Sequence, residues 1–354
     1  MPASSINDFH QIASAQADHY LPHLGLSTLN TDFRAQFNDV KFVCTGGSSG
    51  RMSEYAKLFS ALANMQSSGN LCNRTDRFVM YKTGPVLWVN HGIGMPSLSI
   101  LLCEFVCTGG SSGRMSEYAK LFSALANMQS SGNLCNRTDR FVMYKTGPVL
   151  WVNHGIGMPS LSILLCELFK LLRLACCTDV QFIRVGTCGG VDVKPGTVII
   201  SEGVVNAALE KNKFVQWIQG RQVKRDAVLD AQMGNDLFSI AVGLKLPAER
   251  GLTLSTDDFY EGQMRLDGAF CDYGNEEKMA FLGHLIQIGV KNIEMESTCF
   301  AAMIHRAKYS AAICCVVLVN RMEVDTLMLR EFHAEFEKRP FEIVSRYILN
   351  KLNK

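Results

Sequence analysis

Four short clusters in this chain place guanidinium, amide, carboxylate and glycine groups at spacings that suit an oxyanion and a polar heterocycle. Thr45-Gly46-Gly47-Ser48-Ser49-Gly50-Arg51 joins a strand pattern to a helix pattern. Its glycines let backbone approach a ligand, the free N–H groups at the helix start favour an anion, and Arg51 adds a forked cation. The plain alternative is a tight turn with a solvated arginine; the P-loop pattern is absent, since no Gly-Lys-Ser/Thr follows. The second cluster is Arg184-Val185-Gly186-Thr187-Cys188-Gly189-Gly190. An arginine inside a strand is costly to bury unless it meets an anion, either a ligand or a structural carboxylate. In Asp258-Phe259-Tyr260-Glu261-Gly262-Gln263-Met264-Arg265, the ring can stack on a heterocycle. Gln263 offers both a donor and an acceptor, and Arg265 a charged fork. The fourth cluster, Asn292-Ile293-Glu294-Met295-Glu296-Ser297, sets two carboxylates just before a helix. They suit a sugar diol or face solvent.

The elements that must position these groups alternate between apolar strand runs and helical patterns, the signature of an α/β domain. Strands are expected at 40–45, 149–154, 180–186, 197–201 and 312–319. Helices are expected at 50–63, where Met52, Tyr55, Ala56, Phe59 and Leu62 share a face, from Pro159 to Leu172, and at 297–306.

A 63-residue block, Phe42 to Glu104, recurs letter for letter as Phe105 to Glu167. One domain has room for one copy, and without the other the chain would be 291 residues. A single domain over 1–354 is expected, with one of 42–104 and 105–167 surplus. The first strand has its lead-in only before copy one, and the helix after Pro159 continues only after copy two. The expected path therefore starts in copy one and crosses to copy two in the MQSSGN loop or at the Thr-Gly-Pro turn. Perfect identity points to a recent duplication or an error in assembling the gene.

The net charge of +2 gives no electrostatic case for nucleic acid or a membrane surface. No segment has the length and apolarity of a membrane span, and the N-terminal residues lack a secretory pattern. The thirteen cysteines match no zinc spacing, and many sit in apolar runs, so reduced buried thiols in the cytoplasm are expected. His91, His154, His284 and His305 read as hydrogen-bonded structural residues, and no metal site is expected.

In order and wording, FYEGQMR, NIEMES, IRVGTCGG and VNHGIG resemble the uridine phosphorylases of the nucleoside phosphorylase family, over about 23–351 apart from the extra block. The resemblance implies an α/β/α domain with a central mixed sheet flanked by helices. It also implies reversible phosphorolysis of uridine to uracil and ribose 1-phosphate, with phosphate as a substrate and no cofactor. Phosphate would be held by Gly47, Arg51, Arg184 and Thr187, or by Gly110 and Arg114 if copy two is used, plus Arg77 or Arg140 from a neighbouring subunit. Gln263 and Arg265 would read uracil beside Phe259; Glu294, Met295 and Glu296 would hold the ribose. His23 would reach the neighbour's 5′-hydroxyl, and Leu318, Val319 and Arg321 would close the base side. Sites shared in this way imply a homo-oligomer. A purine or methylthioadenosine phosphorylase and a non-catalytic nucleoside-binding relative remain the alternatives.

Overall fold

The computed structural model describes residues 103–352 apart from 136–139, 175–176 and 326–329, and before them only the short segments 20–21, 26–27, 42–46, 57, 80–83 and 86–90. The chain divides into two compact units, Met1–Leu102 and Cys103–Lys354, where the sequence led us to expect one domain. In the first unit β1 (Tyr20–Leu21) pairs with β2 (Leu26–Ser27). There, β3 (Phe42–Gly46), β4 (Met80–Thr83) and β5 (Val86–Asn90) form a sheet of order β3-β5-β4.

Copy two forms the same arrangement in the second unit. Strands β6 (Phe105–Gly109), β7 (Met143–Thr146) and β8 (Val149–Asn153) lie in the order β6-β8-β7. The registers Phe42↔Val86 and Phe105↔Val149 are the same pairing 63 residues apart. What differs is the neighbour: β6 also pairs in parallel with β9 (Gln181–Gly190), Phe105 facing Gln181 and Thr108 facing Arg184. All of copy two lies in this unit, so the path does not cross from copy one inside a loop, as the lead-in sequence had suggested.

From β9 the sheet extends through β15 (Ser310–Asn320), β10 (Val198–Val205), β13 (Ala248–Ser255) and β14 (Val290–Glu294). It is mixed: β15 is parallel to β9 and antiparallel to β10. Strand β14 then returns to pair with β9 at Gly189 and Gly190, closing five strands on themselves. That closure needs glycine, because a Cβ at Gly190 would stand 2.7 Å from a Val317 methyl and 2.8 Å from the Val193 carbonyl oxygen. A separate hairpin, β11 (Lys213–Ile218) with β12 (Arg221–Asp226), completes the strands.

Six helices accompany the sheet among the described residues: α1 (Ser112–Ala126), α2 (Met158–Leu174), α3 (Ala231–Gly243), α4 (Asn275–Gln287), α5 (Ser297–Arg306) and α6 (Arg330–Leu352). The helix expected at 50–63 lies outside the described residues except Lys57, but its twin is α1. Ser111 caps α1 by accepting from the Arg114 N–H, and the apolar stripe Met115, Tyr118, Ala119 and Phe122 is buried. That stripe meets Trp151 of β8 and Phe341 of α6, with ring centroids 4.9 to 6.1 Å apart. The opposite sheet face packs Phe182 against Phe169 of α2 and Tyr309.

Because Trp151 is fully buried, Trp151→Ala should cost about 3–5 kcal/mol in denaturant unfolding of the large unit. Its sequence twin Trp88 belongs to the other unit, so Trp88→Ala should leave that transition in place.

Candidate active site

Arg184 organises one end of the site. Its side chain is 3% exposed, and burial alone would lower its pKa, yet Glu294, Cys315 and Glu296 hold it above the ordinary arginine value. The guanidinium lies 2.8 Å from Glu294 Oε2, also donates to Glu296 Oε2, and reaches Cys315 Sγ at 2.9 Å. Glu294, at the end of β14, accepts from the Ser297 N–H at 2.9 Å and the Glu296 N–H at 2.9 Å, so it caps α5 while neutralising Arg184. Burial pushes the Glu294 carboxyl upward against the pull of Arg184. The other Glu296 oxygen accepts from the Gly157 N–H at 2.6 Å, tying the His154-Gly155-Ile156-Gly157 turn to the same carboxylate. Gly155 and Gly157 take φ of +73° and +85°, conformations that favour glycine.

Beyond this cluster the turn after β6 contributes Gly110, and α1 begins with Arg114 on its first turn. A Cβ at Gly110 would lie 3.1 Å from the Gly155 carbonyl oxygen and 3.9 Å from His154 Cε1. Arg114 Nη2 pairs with Glu337 at 2.6 Å. Thr187 is half-buried on β9, facing Val316 of β15.

The second end is a ladder of cations and their counter-ions. Asp258 accepts from the Tyr260 N–H at 2.7 Å and the Gly262 N–H at 3.0 Å, which folds the short 3-10 turn Glu261–Gln263. Gln263 is buried, its Oε1 accepting from Arg321 at 3.3 Å and its backbone oxygen from the same guanidinium at 2.8 Å. Arg321, 1% exposed, lies against Gly189, where a Cβ would sit 2.9 Å from its Cδ. Asp325 answers it at 3.1 Å and also accepts from Lys278 at 2.9 Å and the Leu266 N–H at 3.0 Å. Arg265 is gripped by both oxygens of Asp267 at 2.7 and 2.5 Å and stacks over the Phe259 ring, 4.4 Å from its centroid. Phe259 is 42% exposed, with Tyr260 packed edge-on against it at 5.2 Å.

The two ends meet on β9: Gly189 and Gly190, next to Arg321, pair with β14, whose last residue is Glu294, the partner of Arg184. Residues 104–349 match the family described as the Phosphorylase superfamily. The chain belongs to that family. It is 50% identical over 264 residues to the uridine and thymidine phosphorylase of Caenorhabditis elegans, covering 73% of this chain and 89% of that protein. Its fold is similar to the Schistosoma mansoni uridine phosphorylase in complex with uracil, with TM-score 0.68 and 37% identity over 72% of this chain and 88% of that one. The inactive uridine phosphorylase B of Schistosoma mansoni is 38% identical over 69% of this chain and 84% of that protein.

Within this phosphorylase fold, Arg184, Glu294 and Glu296 come together in one cluster, and Gln263, Arg265, Phe259 and Arg321 in the other. Met295 is half-buried between the two glutamates of its motif. Val319 and Leu318 are buried on β15, Leu318 among the apolar side chains under α1 and α6. Arg140 is exposed. His23, Gly47, Arg51 and Arg77 lie outside the described residues. Sequence reasoning missed Asp267, Asp325 and Cys315. The i,i+4 spacing of Arg321 and Asp325 was a readable signal. Cys315 and Asp267 gave none, since their roles come from strand register and a turn. Among the described residues no His, Cys, Asp or Glu group is placed to hold a metal, and the ten described cysteines from Cys103 onward are free thiols.

Asp325→Ala would strand two buried cations, Arg321 and Lys278, and should cost about 3–5 kcal/mol of stability. The Asp325 carboxyl sits below its usual range: burial raises it, but the Leu266 N–H, Lys278 and Arg321 outweigh that. Its contribution is therefore complete above about pH 3.9, the unfolded value, and disappears as pH falls through the lower folded value. Urea midpoints at pH 7 and 5 should show the same Asp325→Ala deficit, and the deficit should shrink as pH falls below about 3.9.

Proposed function

We propose that this chain catalyses reversible phosphorolysis of uridine, phosphate attacking C1′ directly to give uracil and α-ribose 1-phosphate. The observation that carries the reading is a buried arginine, Arg184, held by two carboxylates in a phosphorylase-superfamily fold, beside a second cluster that pairs an amide with two guanidiniums. The names of the relatives support uridine as the substrate.

In this reading copy two supplies the phosphate loop, with Gly110, Arg114, Arg184 and Thr187 around the anion, and Gly47 and Arg51 belong to the surplus copy. Phosphate takes the place of Glu296 on Arg184, which frees that carboxylate for the ribose hydroxyls beside Met295. Binding the anion and the sugar thus becomes one exchange of partners rather than the desolvation of a bare charge. Glu294 stays on Arg184 and the α5 N-terminus, holding the cation in line.

At the other end, Arg321 fixes the Gln263 oxygen, so the amide presents a defined donor and acceptor to the uracil edge. Arg265, locked by Asp267 and stacked on Phe259, donates to the base. As the glycosidic bond breaks, negative charge grows on uracil and positive charge on the sugar; the first meets Gln263 and Arg265, the second meets phosphate. Donors already oriented toward developing charge need no reorganisation in the transition state. Orientation of the dianion under C1′ adds a further large factor. Inorganic phosphate is a substrate, and the scheme uses no cofactor. His23 and either Arg77 or Arg140 reach in from a neighbouring subunit, making the protein a homo-oligomer with shared sites. The free thiols suit a reducing compartment, and we assign the protein to the cytoplasm.

Purified full-length chain given uridine and phosphate should release uracil only when phosphate is present. Gln263→Ala should lower kcat/KM by about 10²-fold, far more than its loss of one buried hydrogen bond to Arg321 lowers the unfolding midpoint. Normal turnover by that variant would remove the base-reading role, and cleavage of inosine but not uridine would move the chain to the purine branch. The relative named inactive keeps a non-catalytic reading in view; uridine binding by calorimetry with no phosphate-dependent product would establish it. Deleting Phe42 to Glu104 should leave kcat/KM within about threefold of the full chain, since copy two alone sits in the large unit.

A further inference from the structure

Three polar groups on one face of the sheet are buried and have no hydrogen-bond partner among the described residues: Thr108 Oγ1, Arg184 Nε and both ring nitrogens of His154. They are neighbours. Thr108 of β6 faces Arg184 of β9 on one side and Val152 of β8 on the other, and His154 lies two residues beyond Val152. The His154 N–H donates to the Gly109 carbonyl oxygen at 2.9 Å, which fixes the backbone where β6 ends and the Gly110 turn begins. Its ring runs beside that turn, Cε1 lying 3.9 Å from where a Gly110 Cβ would be. Ser160 Oγ donates to the His154 backbone oxygen, not to the ring. An imidazole that is 1% exposed and finds no side-chain partner among the described residues carries a desolvation penalty that a ligand can relieve.

The surroundings decide what that ligand is. Burial, then the positive charge of Arg184, push the His154 pKa down to about 3; Glu294 and the adjacent Gly155 backbone oppose this, and Arg114 adds to it weakly. The ring is therefore neutral, with one N–H to give and one lone pair to offer. It stands among the arginines of the anion site and beside the glycine turn expected to touch the same anion.

We propose that His154 is a further phosphate-binding residue of this chain, its neutral imidazole donating to the oxyanion between Gly110 and Arg184. The inference rests on the proposed phosphorolysis for its substrate, and on the orphaned ring for its place. It departs from the expectation from sequence that His154 is a satisfied structural residue. A neutral donor orients the anion without further lowering the charge on the attacking oxygen, which an additional cation would do.

The test uses the full chain and three variants, His154→Phe, His154→Gln and His91→Phe, the last altering the same residue in copy one. Initial rates over phosphate and uridine concentrations should show His154→Phe raising the phosphate KM about tenfold, the scale of one hydrogen bond to a charged group, with the uridine KM within about twofold. His154→Gln, which keeps an N–H donor, should recover to within about threefold, and His91→Phe should match wild type. A phosphate KM unchanged in His154→Phe, a parallel rise in both KM values, or an effect at His91 instead overturns the proposal. Should wild-type chain release no uracil, the functional reading fails, and calorimetry with inorganic phosphate alone decides the inference. Weaker binding in His154→Phe upholds it and equal binding ends it. Should His154→Phe not fold, the comparison of His154→Gln with His154→Leu in the same assays stands in its place, with the same outcomes.

Discussion

A guanidinium buried in the middle of a strand cannot stand alone, and much of this site follows from that one requirement. Arg184 has its charge answered by Glu294 and Glu296, and each of those carboxylates is tied to backbone elsewhere: Glu294 to the start of α5, Glu296 to the glycine turn after β8. One ion cluster thus joins β9, β14, α5 and copy two. Removing a partner from such a cluster is expensive because a charge is left behind in low dielectric. In the proposed reaction an incoming anion would replace one of the carboxylates at far smaller cost, because Arg184 would keep a counter-charge throughout. The second cluster uses the same logic, with Asp325 and Asp267 each fixing an arginine against Gln263 or Phe259.

Much of this was legible in the sequence. Buried strands announced themselves as apolar runs, and α5 was read with the bounds it has, because Glu296-Ser297 marks its start and its apolar residues follow at helical spacing. Arg184 was legible as a charge in need of an anion. Strands β13 and β14 were not read as strands: AERGLTLS and VKNIE mix charges with apolar residues, and only pairing within the sheet makes them strands. The partners of Arg184 could not be ranked from sequence, since Glu294 and Glu296 are equally near it in type and become distinct only through the hydrogen bonds each makes. His154 could not be placed from sequence for a similar reason. A histidine after an apolar strand usually finds a partner, and whether it does depends on side chains brought in by other strands.

The duplication is the place where sequence reasoning lacked a discriminator. Both copies encode the same three-strand pairing, and the structure shows that pairing twice. Local information in the 63 residues is enough to build it; what it cannot specify is which copy lies beside β9. The lead-in favoured copy one, and the sheet took copy two.

Contour length between partners offers a reason. From Phe105 to Gln181 is 76 residues, and from Phe42 to Gln181 is 139, so closing the nearer loop is entropically easier by about 0.5 kcal/mol. That is roughly the size of thermal energy, a bias of about 2.5-fold, and it acts alongside the LFKLLRL segment, which continues α2 only after copy two. The strand edge of β9 is thus filled by the copy that has the shorter closure and the only continuous helix behind it.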